Sequence, residues 1–175
     1  MLSIHAGALL AFHPAAHPTP LLVGLVALTF VPRAFCVSAG FHRYFSHRSF
    51  KTTRVFQFLL AFVGGMAVMR GALWWAAHHR AHHAHSDKPG DPHSPRDGAL
   101  WSHMGWFTAR GNQPTQDRLI TDFSRYPELV WLNAHEWVPI AVLVGSCLGG
   151  GALFGWATGG DPARAAFAAW VWGAN

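Results

Sequence analysis

The chain has 175 residues and a net charge of +5, and 51% of its residues are hydrophobic while only 12% are charged. This charged fraction is about half of what a soluble domain usually carries, which argues against an ordinary water-soluble fold. Its length suits one domain, residues 1–175, and its basic residues alternate with hydrophobic runs instead of forming a polar stripe, so we expect no nucleic-acid binding.

The charges are unevenly distributed along the chain. Twelve of the 13 Arg and Lys residues lie between Arg33 and Arg125, and long apolar stretches stand on either side. This pattern is typical of a membrane protein that follows the positive-inside rule and has one large cytoplasmic section. The start of the chain lacks the basic region of a secretory signal, so we expect the apolar segments to remain in the protein.

The first apolar segments differ in length. Leu2 to Phe12 is too short to cross a bilayer, whereas Pro20 to Phe41 is long enough to span it. Val55 to Met69 has about 15 apolar residues, a length that favours an interfacial or re-entrant helix. A helix lying on the surface would also keep the histidines before and after it on one side of the membrane.

The second half of the chain contains a loop region and two more apolar segments. Residues 84–130 are rich in Pro and Gly, which predicts loops. Trp137 to Thr158 has 22 residues without a charge, enough to cross a hydrocarbon core of about 30 Å. A return helix begins near Ala163 and runs to Asn175.

Two groups of histidines directly follow apolar stretches. His79, His82 and His83 would occupy an arc of about 100° on an α-helix, so all three can face one cavity. His42 and His47 are about 140° apart on a straight α-helix and converge only where the helix ends or loosens.

Imidazole groups without a thiolate or carboxylate nearby suit iron, copper or zinc, and spacing alone does not choose among them. The sequence therefore predicts an all-histidine metal site at the membrane surface. The remaining histidines are expected to have smaller roles. His78 and His85 are candidates for a ligand or for a hydrogen-bond donor to a ligand, and His93 and His103 for a structural residue or a hydrogen-bond partner of a ligand. No role is expected for His5, His13, His17 and His135.

The two histidine groups belong to longer motifs. Gly40 to Arg48 (Gly-Phe-His-Arg-Tyr-Phe-Ser-His-Arg) and His79 to His83 (His-Arg-Ala-His-His) resemble the first and second histidine boxes of the membrane fatty acyl-CoA desaturases of the delta-9, or stearoyl-CoA, type. Asp91 to Arg96, Ser102 to Trp106 and Arg125 to Pro127 resemble further segments of that family. The resemblance extends over nearly the whole chain.

This resemblance implies an all-α, multi-span membrane fold with the histidine boxes on the cytoplasmic side, in a bacterial inner membrane or, in a eukaryote, the ER membrane. It implies a di-iron centre that uses O2 to insert a cis double bond into a saturated acyl chain. The expected partners are a fatty acyl-CoA or another acyl carrier, membrane lipid, and an electron donor such as cytochrome b5, ferredoxin or rubredoxin.

The resemblance also assigns roles to individual residues. His42, His47, His79, His82 and His83 match iron ligands, and Trp75 matches a tryptophan that lines the acyl tunnel. Two positions depart from the animal members, in which an Arg-Asp pair helps to hold the CoA head group. Here Ala77 and His78 take those positions, which leaves the acyl carrier open.

A second departure is the third histidine box. No histidine follows His135 in these 175 residues, whereas the family has an HNxHH-type motif after its fourth span. We therefore expect the chain to be truncated inside that span and to be inactive alone. A related membrane di-iron hydroxylase and a degenerate, non-catalytic membrane protein are the alternative interpretations.

Overall fold

The computed structural model describes residues 7–174, and within that range the protein is helical and has no strand, which confirms the predicted all-α class. Residue 175 and residues 1–6, including His5, lie outside the described part. The helices of at least eight residues are α1 (Pro20–Phe35), α2 (Arg54–Gly65), α3 (Ala72–His85), α4 (Pro127–Ala134), α5 (Trp137–Ala157) and α6 (Pro162–Gly173), together with a π-helical segment at Cys36–Ser46.

Shorter turns occupy the connections. A five-residue π-helical turn lies at Trp101–Gly105 and a single α-helical turn at Trp106–Thr108. Single 3-10 turns occur at Leu9–Phe12, Pro14–Ala16, Pro95–Asp97, Arg110–Asn112 and Asp117–Leu119. The described residues divide into two compact units, one comprising residues 7–34 and 137–174 and the other residues 35–136.

In the first unit, α5 and α6 pack against each other as a hairpin. Asp161 begins α6 by accepting hydrogen bonds from the backbone N–H groups of Ala163 and Arg164, and Pro162 occupies the first helical position. The close approach of the two helices depends on Gly151, where an added Cβ would lie 2.6 Å from the Ala165 carbonyl oxygen and 2.7 Å from the Ala169 Cβ.

Gly151→Ala is therefore expected to destabilise the α5–α6 hairpin by about 1–3 kcal/mol, because the new methyl group meets backbone that cannot move aside. Gly150→Ala is the matched control, since a Cβ there has no atom within 4 Å, and it should leave stability unchanged or slightly raised. Thermal unfolding in detergent measures both. Equal melting temperatures for the two variants would contradict this packing.

The second unit is built around the π-helical segment, α2, α3 and α4. Its core contains fully buried side chains from each part, among them Phe41 and Phe45, Leu60 and Leu129. Gly64 of α2 lies so close to the Phe41 ring that an added Cβ would be 2.4 Å from it. This contact packs the C-terminal part of α2 directly on the segment that carries the first histidine group.

The predicted interfacial segment, residues 55–69, differs from the helix observed there. α2 begins at Arg54, where Thr53 caps it by accepting a hydrogen bond from the Phe56 N–H, and it ends at Gly65. The chain then turns through Val68 and Arg70, both with positive φ (59° and 66°). The helix therefore ends inside its apolar sequence, and the left-handed residues that follow redirect the backbone into α3.

Two helices of the described residues are long and apolar enough, by length and composition, to cross a membrane: Pro20–Ser46, which joins α1 to the π-helical segment, and Trp137–Ala157. The first extends beyond the predicted end at Phe41 because π-helical hydrogen bonding continues to Ser46. α6 has 12 residues, from Pro162 to Gly173.

Candidate metal centre

The π-helical segment brings the first two histidines together. Its i→i+5 hydrogen bonding includes the bond from the His47 N–H to the His42 carbonyl (3.1 Å). Residues five apart are thereby placed one turn apart, and the rings of His42 and His47 lie 4.6 Å apart between centroids. The π-helical segment is therefore the loosened helix that the five-residue spacing of His42 and His47 required.

The second group lies on α3, where His79 and His83 are one turn apart and face the first group. Between centroids, the His42 ring is 4.8 Å from the His79 ring and the His47 ring is 4.7 Å from the His83 ring. One nitrogen from each of the four histidines lies within 4.8 Å of those of the others. We call His42, His47, His79 and His83 the histidine quartet.

The nitrogen spacing within the quartet suits a metal ion. The Nε2 atoms of His42 and His47 are 3.1 Å apart, as are those of His79 and His83. Two imidazole nitrogens bound at about 2.1 Å to one metal, with a right angle between the bonds, lie about 3.0 Å apart. All-imidazole donors are compatible with iron, as well as with copper and zinc. The residues therefore fit the iron that the sequence motifs imply.

At two members of the quartet, His79 and His47, the surroundings favour the neutral imidazole, which is the form that binds metals. Burial, together with repulsion from His83, His42, His47 and His82, lowers the pKa of His79 to about 3. Burial, followed by the proximity of His42 and His83, also lowers the pKa of His47. At neutral pH the lone pair of His79 is consequently available to a cation.

Trp75 lies one turn before His79 on α3 and supports its ring. The two rings stack at 4.5 Å and 22°. Trp75 also contacts His42 edge-on at 6.3 Å and the buried Phe41 at 6.0 Å. It therefore flanks the quartet on an apolar side, and its side chain is only partly buried.

His82, the fifth predicted ligand, belongs to a different group. Its Nδ1 donates a hydrogen bond of 2.9 Å to Asp91 Oδ1, and its ring stacks on His93 at 4.1 Å and 19°. The ring remains next to the quartet, 5.5 Å from His83 and 6.2 Å from His79. The structure thus brings four of the five predicted ligands into the quartet. It places His82 in a separate cluster with Asp91 and His93, which we call the His82 cluster.

The His82 cluster corrects the prediction that no carboxylate lies beside the histidines. Asp91 follows His82 by nine residues, and the loop after α3 folds back to bring it to the histidine. Burial tends to raise the pKa of Asp91, but hydrogen bonds from His82 and from the backbone N–H groups of Asp87 and His93 lower it below its usual value. The Asp-Pro-His motif was the signal for this residue.

The two positions that depart from the animal members are both buried. Ala77 is fully buried, and His78 is only 1% exposed. His78 Nδ1 bonds the Trp74 carbonyl (2.9 Å), and its ring lies against Trp74 and Trp106. His78 belongs to neither histidine group, so a ligand role is not supported for it.

The side chain of Arg80 makes a set of interactions that the sequence motifs do not predict. Arg80, between His79 and His82, makes a bidentate ion pair with Asp122 (2.9 Å at both oxygens) and also donates to the carbonyls of Phe45 and Ser46. Its Nη1 donates to the Leu119 carbonyl (2.6 Å). The guanidinium therefore ties α3 to the end of the π-helical segment, immediately before His47.

Comparison with known proteins agrees with the family that the histidine motifs resemble. Residues 16–174 match the family model described as fatty acid desaturase. An sn-1 stearoyl-lipid 9-desaturase of Anabaena variabilis is 37% identical over 106 residues, which cover 61% of this chain and 39% of that protein.

Two further relatives differ in the substrates that their names give. A hex-5-enoyl-[acyl-carrier protein] acetylenase of Moorena producens is 34% identical over 163 residues, 85% of this chain and 49% of that protein. Stearoyl-CoA desaturase 5 of Homo sapiens is 38% identical over 112 residues, 63% of this chain and 33% of that protein. The chain spans half or less of the length of these curated relatives.

Proposed function

Because this chain belongs to the fatty acid desaturase family, we propose that it forms part of an enzyme that inserts a cis double bond, at the delta-9 position, into a saturated acyl chain. One observation supports this most directly: four imidazoles from two separate segments have ligating atoms within 4.8 Å of one another. In this reaction one O2 is reduced to two waters. The acyl chain gives up two hydrogen atoms, and a donor and the solvent supply two electrons and two protons.

Iron, when bound, supplies the redox chemistry that activates O2. The residues of this chain hold and shape that site: the quartet and His82 would donate nitrogen ligands, and the carbonyl contacts of Arg80 fix the backbone before His47. Trp75 presents an apolar face beside His79, which suits a tunnel wall along which an acyl chain approaches the metal.

The outer surfaces of the long helices support a position in the membrane. On α1, Leu28 is 70% exposed and Phe30 60%, and on α5, Leu153 is 63% exposed and Trp156 73%. Such apolar surfaces are stable against lipid. We propose that both helices cross the bilayer, that α6 begins a return span, that α2 lies at the interface, and that the histidine groups face the cytoplasm.

The relatives and the two substituted positions, Ala77 and His78, bear on the acyl carrier. The names of the relatives include lipid-linked, acyl-carrier-protein-linked and CoA-linked chains. Buried Ala77 and His78 replace the charged pair that would help to hold CoA, which favours a lipid-linked or protein-linked chain. A one-electron carrier such as cytochrome b5, ferredoxin or rubredoxin would supply the electrons.

A second candidate reaction has a specific observation in its favour. The acetylenase covers 85% of this chain, so a chain that already contains a double bond is an alternative substrate. A hydroxylase using the same histidine groups is another alternative outcome. Alkene, alkyne and alcohol products are separated by gas chromatography with mass spectrometry.

The test joins residues 1–175 to the remaining C-terminal part of the Anabaena variabilis relative and expresses the hybrid in a desaturase-deficient host. Monounsaturated fatty acids are expected from the hybrid and not from its His79→Ala version. We expect none from the 175 residues alone, because they provide five of the roughly nine histidines that the family uses for two irons. A hybrid that binds two irons but yields only alcohols would contradict desaturation.

Metal analysis distinguishes the non-catalytic alternative. Two irons bound to each purified chain of 175 residues would count against a degenerate protein and against our expectation of inactivity. Monounsaturates produced by these residues alone, and dependent on His82, would also overturn that expectation.

A further inference from the structure

Asp91 holds a position that none of the predicted ligand roles explains. Its side chain has no exposed surface, although it is an acidic group in a loop. Oδ1 accepts hydrogen bonds from His82 Nδ1 (2.9 Å) and from the His93 N–H (3.0 Å), and Oδ2 accepts one from the Asp87 N–H (3.0 Å). A buried carboxylate with both oxygens engaged is held in one orientation.

A separate metal site formed by His82, Asp91 and His93 is disfavoured by its geometry. The rings of His82 and His93 are stacked nearly parallel, at 19° and 4.1 Å. Imidazole lone pairs lie in the ring plane, so stacked rings direct them side by side and not at one ion between them. The oxygens of Asp91 are already occupied by three N–H donors.

The remaining role for the carboxylate is to orient His82. An ionised carboxylate only accepts hydrogen bonds, so the proton of His82 must lie on Nδ1. The lone pair of the ring then lies on Nε2, and Nε2 is the atom that remains available to a metal. Asp91 fixes the edge of the ring and His93 covers one face, while His83 lies 5.5 Å away on the quartet side.

We propose that Asp91 is a positioning residue that fixes the Nδ1–H tautomer and the orientation of His82, and so prepares Nε2 to join the metal bound at the histidine quartet. The proposal rests on the proposed function insofar as His82 is a ligand. When one ring nitrogen of a histidine binds a metal, a carboxylate that accepts the N–H of the other nitrogen makes the ring a stronger ligand. Loss of such a carboxylate weakens metal binding by about 10- to 100-fold.

The first measurement does not need metal or activity. ¹⁵N NMR of the metal-free chain with labelled histidine distinguishes protonated from unprotonated ring nitrogens, and the His82→Gln spectrum assigns the signal. We expect the Nδ1–H tautomer in the wild type and a mixture of tautomers in Asp91→Ala. A wild-type His82 protonated on Nε2 would overturn the proposal.

The second measurement is metal affinity, determined by competition between the detergent-solubilised chain and a chelator for Fe(II) or Co(II). Asp91→Ala should weaken binding by about 10- to 100-fold. Asp91→Asn should weaken it less, because its amide oxygen can still accept the Nδ1 proton. Asp97→Ala, an exposed acidic residue in the same loop region, should not change it. Wild-type affinity in Asp91→Ala would overturn the proposal.

The two measurements separate this proposal from the proposed function. A wild type that binds no metal would count against the metal centre, while the tautomer of His82 would still decide whether Asp91 orients it. Melting temperatures identify a merely structural loss: an Asp91→Ala chain that is less stable but keeps both the tautomer and the metal affinity contradicts the positioning role.

Discussion

The His79→Ala chain is expected to lose its metal, with affinity falling by more than about 100-fold. Removing a direct ligand should weaken binding more than removing a residue that only hydrogen-bonds to a ligand. Two members of the quartet contact all the others, His47 and His79, and His79 is the less exposed of the two. Its ring centroid lies 4.8, 5.3 and 4.6 Å from those of His42, His47 and His83. Its removal leaves two histidines on one side of the site and one on the other. Elemental analysis and Co(II) absorption spectra measure the loss.

His135→Ala is the matched control for this variant. His135 also stacks on a tryptophan, Trp131, at 4.7 Å and 20°, but it belongs to neither histidine group. It should therefore keep full metal affinity. If His79→Ala bound metal as tightly as the wild type, or if both variants lost it equally, the quartet would not be the metal centre.

Local patterns in the sequence predicted the helical class and the two histidine-bearing segments. They grouped His82 with His79 and His83, whereas the structure places His82 with Asp91 and His93. Apolar length predicted the helices, and the i, i+4 spacing placed His79 and His83 on one face of α3. The sequence could state only a condition for His42 and His47, namely a loosened helix. The structure meets it with π-helical bonding from Cys36 to Ser46, which no propensity scale predicts from a single sequence.

The carboxylate partners of His82 and Arg80 were harder to predict because they come from later parts of the chain. Asp91 reaches His82 only after the loop beyond α3 turns back, and Asp122 lies 42 residues from Arg80. A basic residue inside a histidine motif gives no sign of which carboxylate it will meet. The end of α2 was also not predictable from its apolar run, since the helix stops at Gly65 inside that run and the backbone then turns through Val68 and Arg70.

These contacts also explain how two separate segments are kept in register. Without a metal, the hydrogen bonds described among the four imidazoles join only residues of the same segment, His42 with His47 and His79 with His83. Burial of His79 adds to the cost of charging it. The surrounding framework must therefore hold the quartet together before a metal binds. Phe41 packs on Trp75 beneath the rings, and Arg80 ties the backbone on the other side.

Arg80→Met is accordingly expected to lower the free energy of unfolding by about 3 kcal/mol, the lower end of the range for breaking a buried ion pair. The side chains of Arg80 and Asp122 are only 19% and 12% exposed, and the loss would leave Asp122 with Arg48 as its remaining ion-pair partner. It would also remove the donors to the carbonyls of Phe45 and Ser46. Metal affinity should fall as well, because His47 follows directly.

The matched control is Arg54→Met, which removes a bidentate pair of similar geometry, with both Arg54–Glu128 contacts at 2.7 Å. The side chain of Arg54 is 63% exposed, so its loss should change stability little. Chemical unfolding in detergent, followed by tryptophan fluorescence, measures both variants. Arg80→Lys keeps the charge but cannot reproduce the planar, bidentate donation, so it should lie between wild type and Arg80→Met. If Arg80→Met and Arg54→Met proved equally stable, with metal affinity unchanged in both, the buried guanidinium would not be what aligns the two histidine segments.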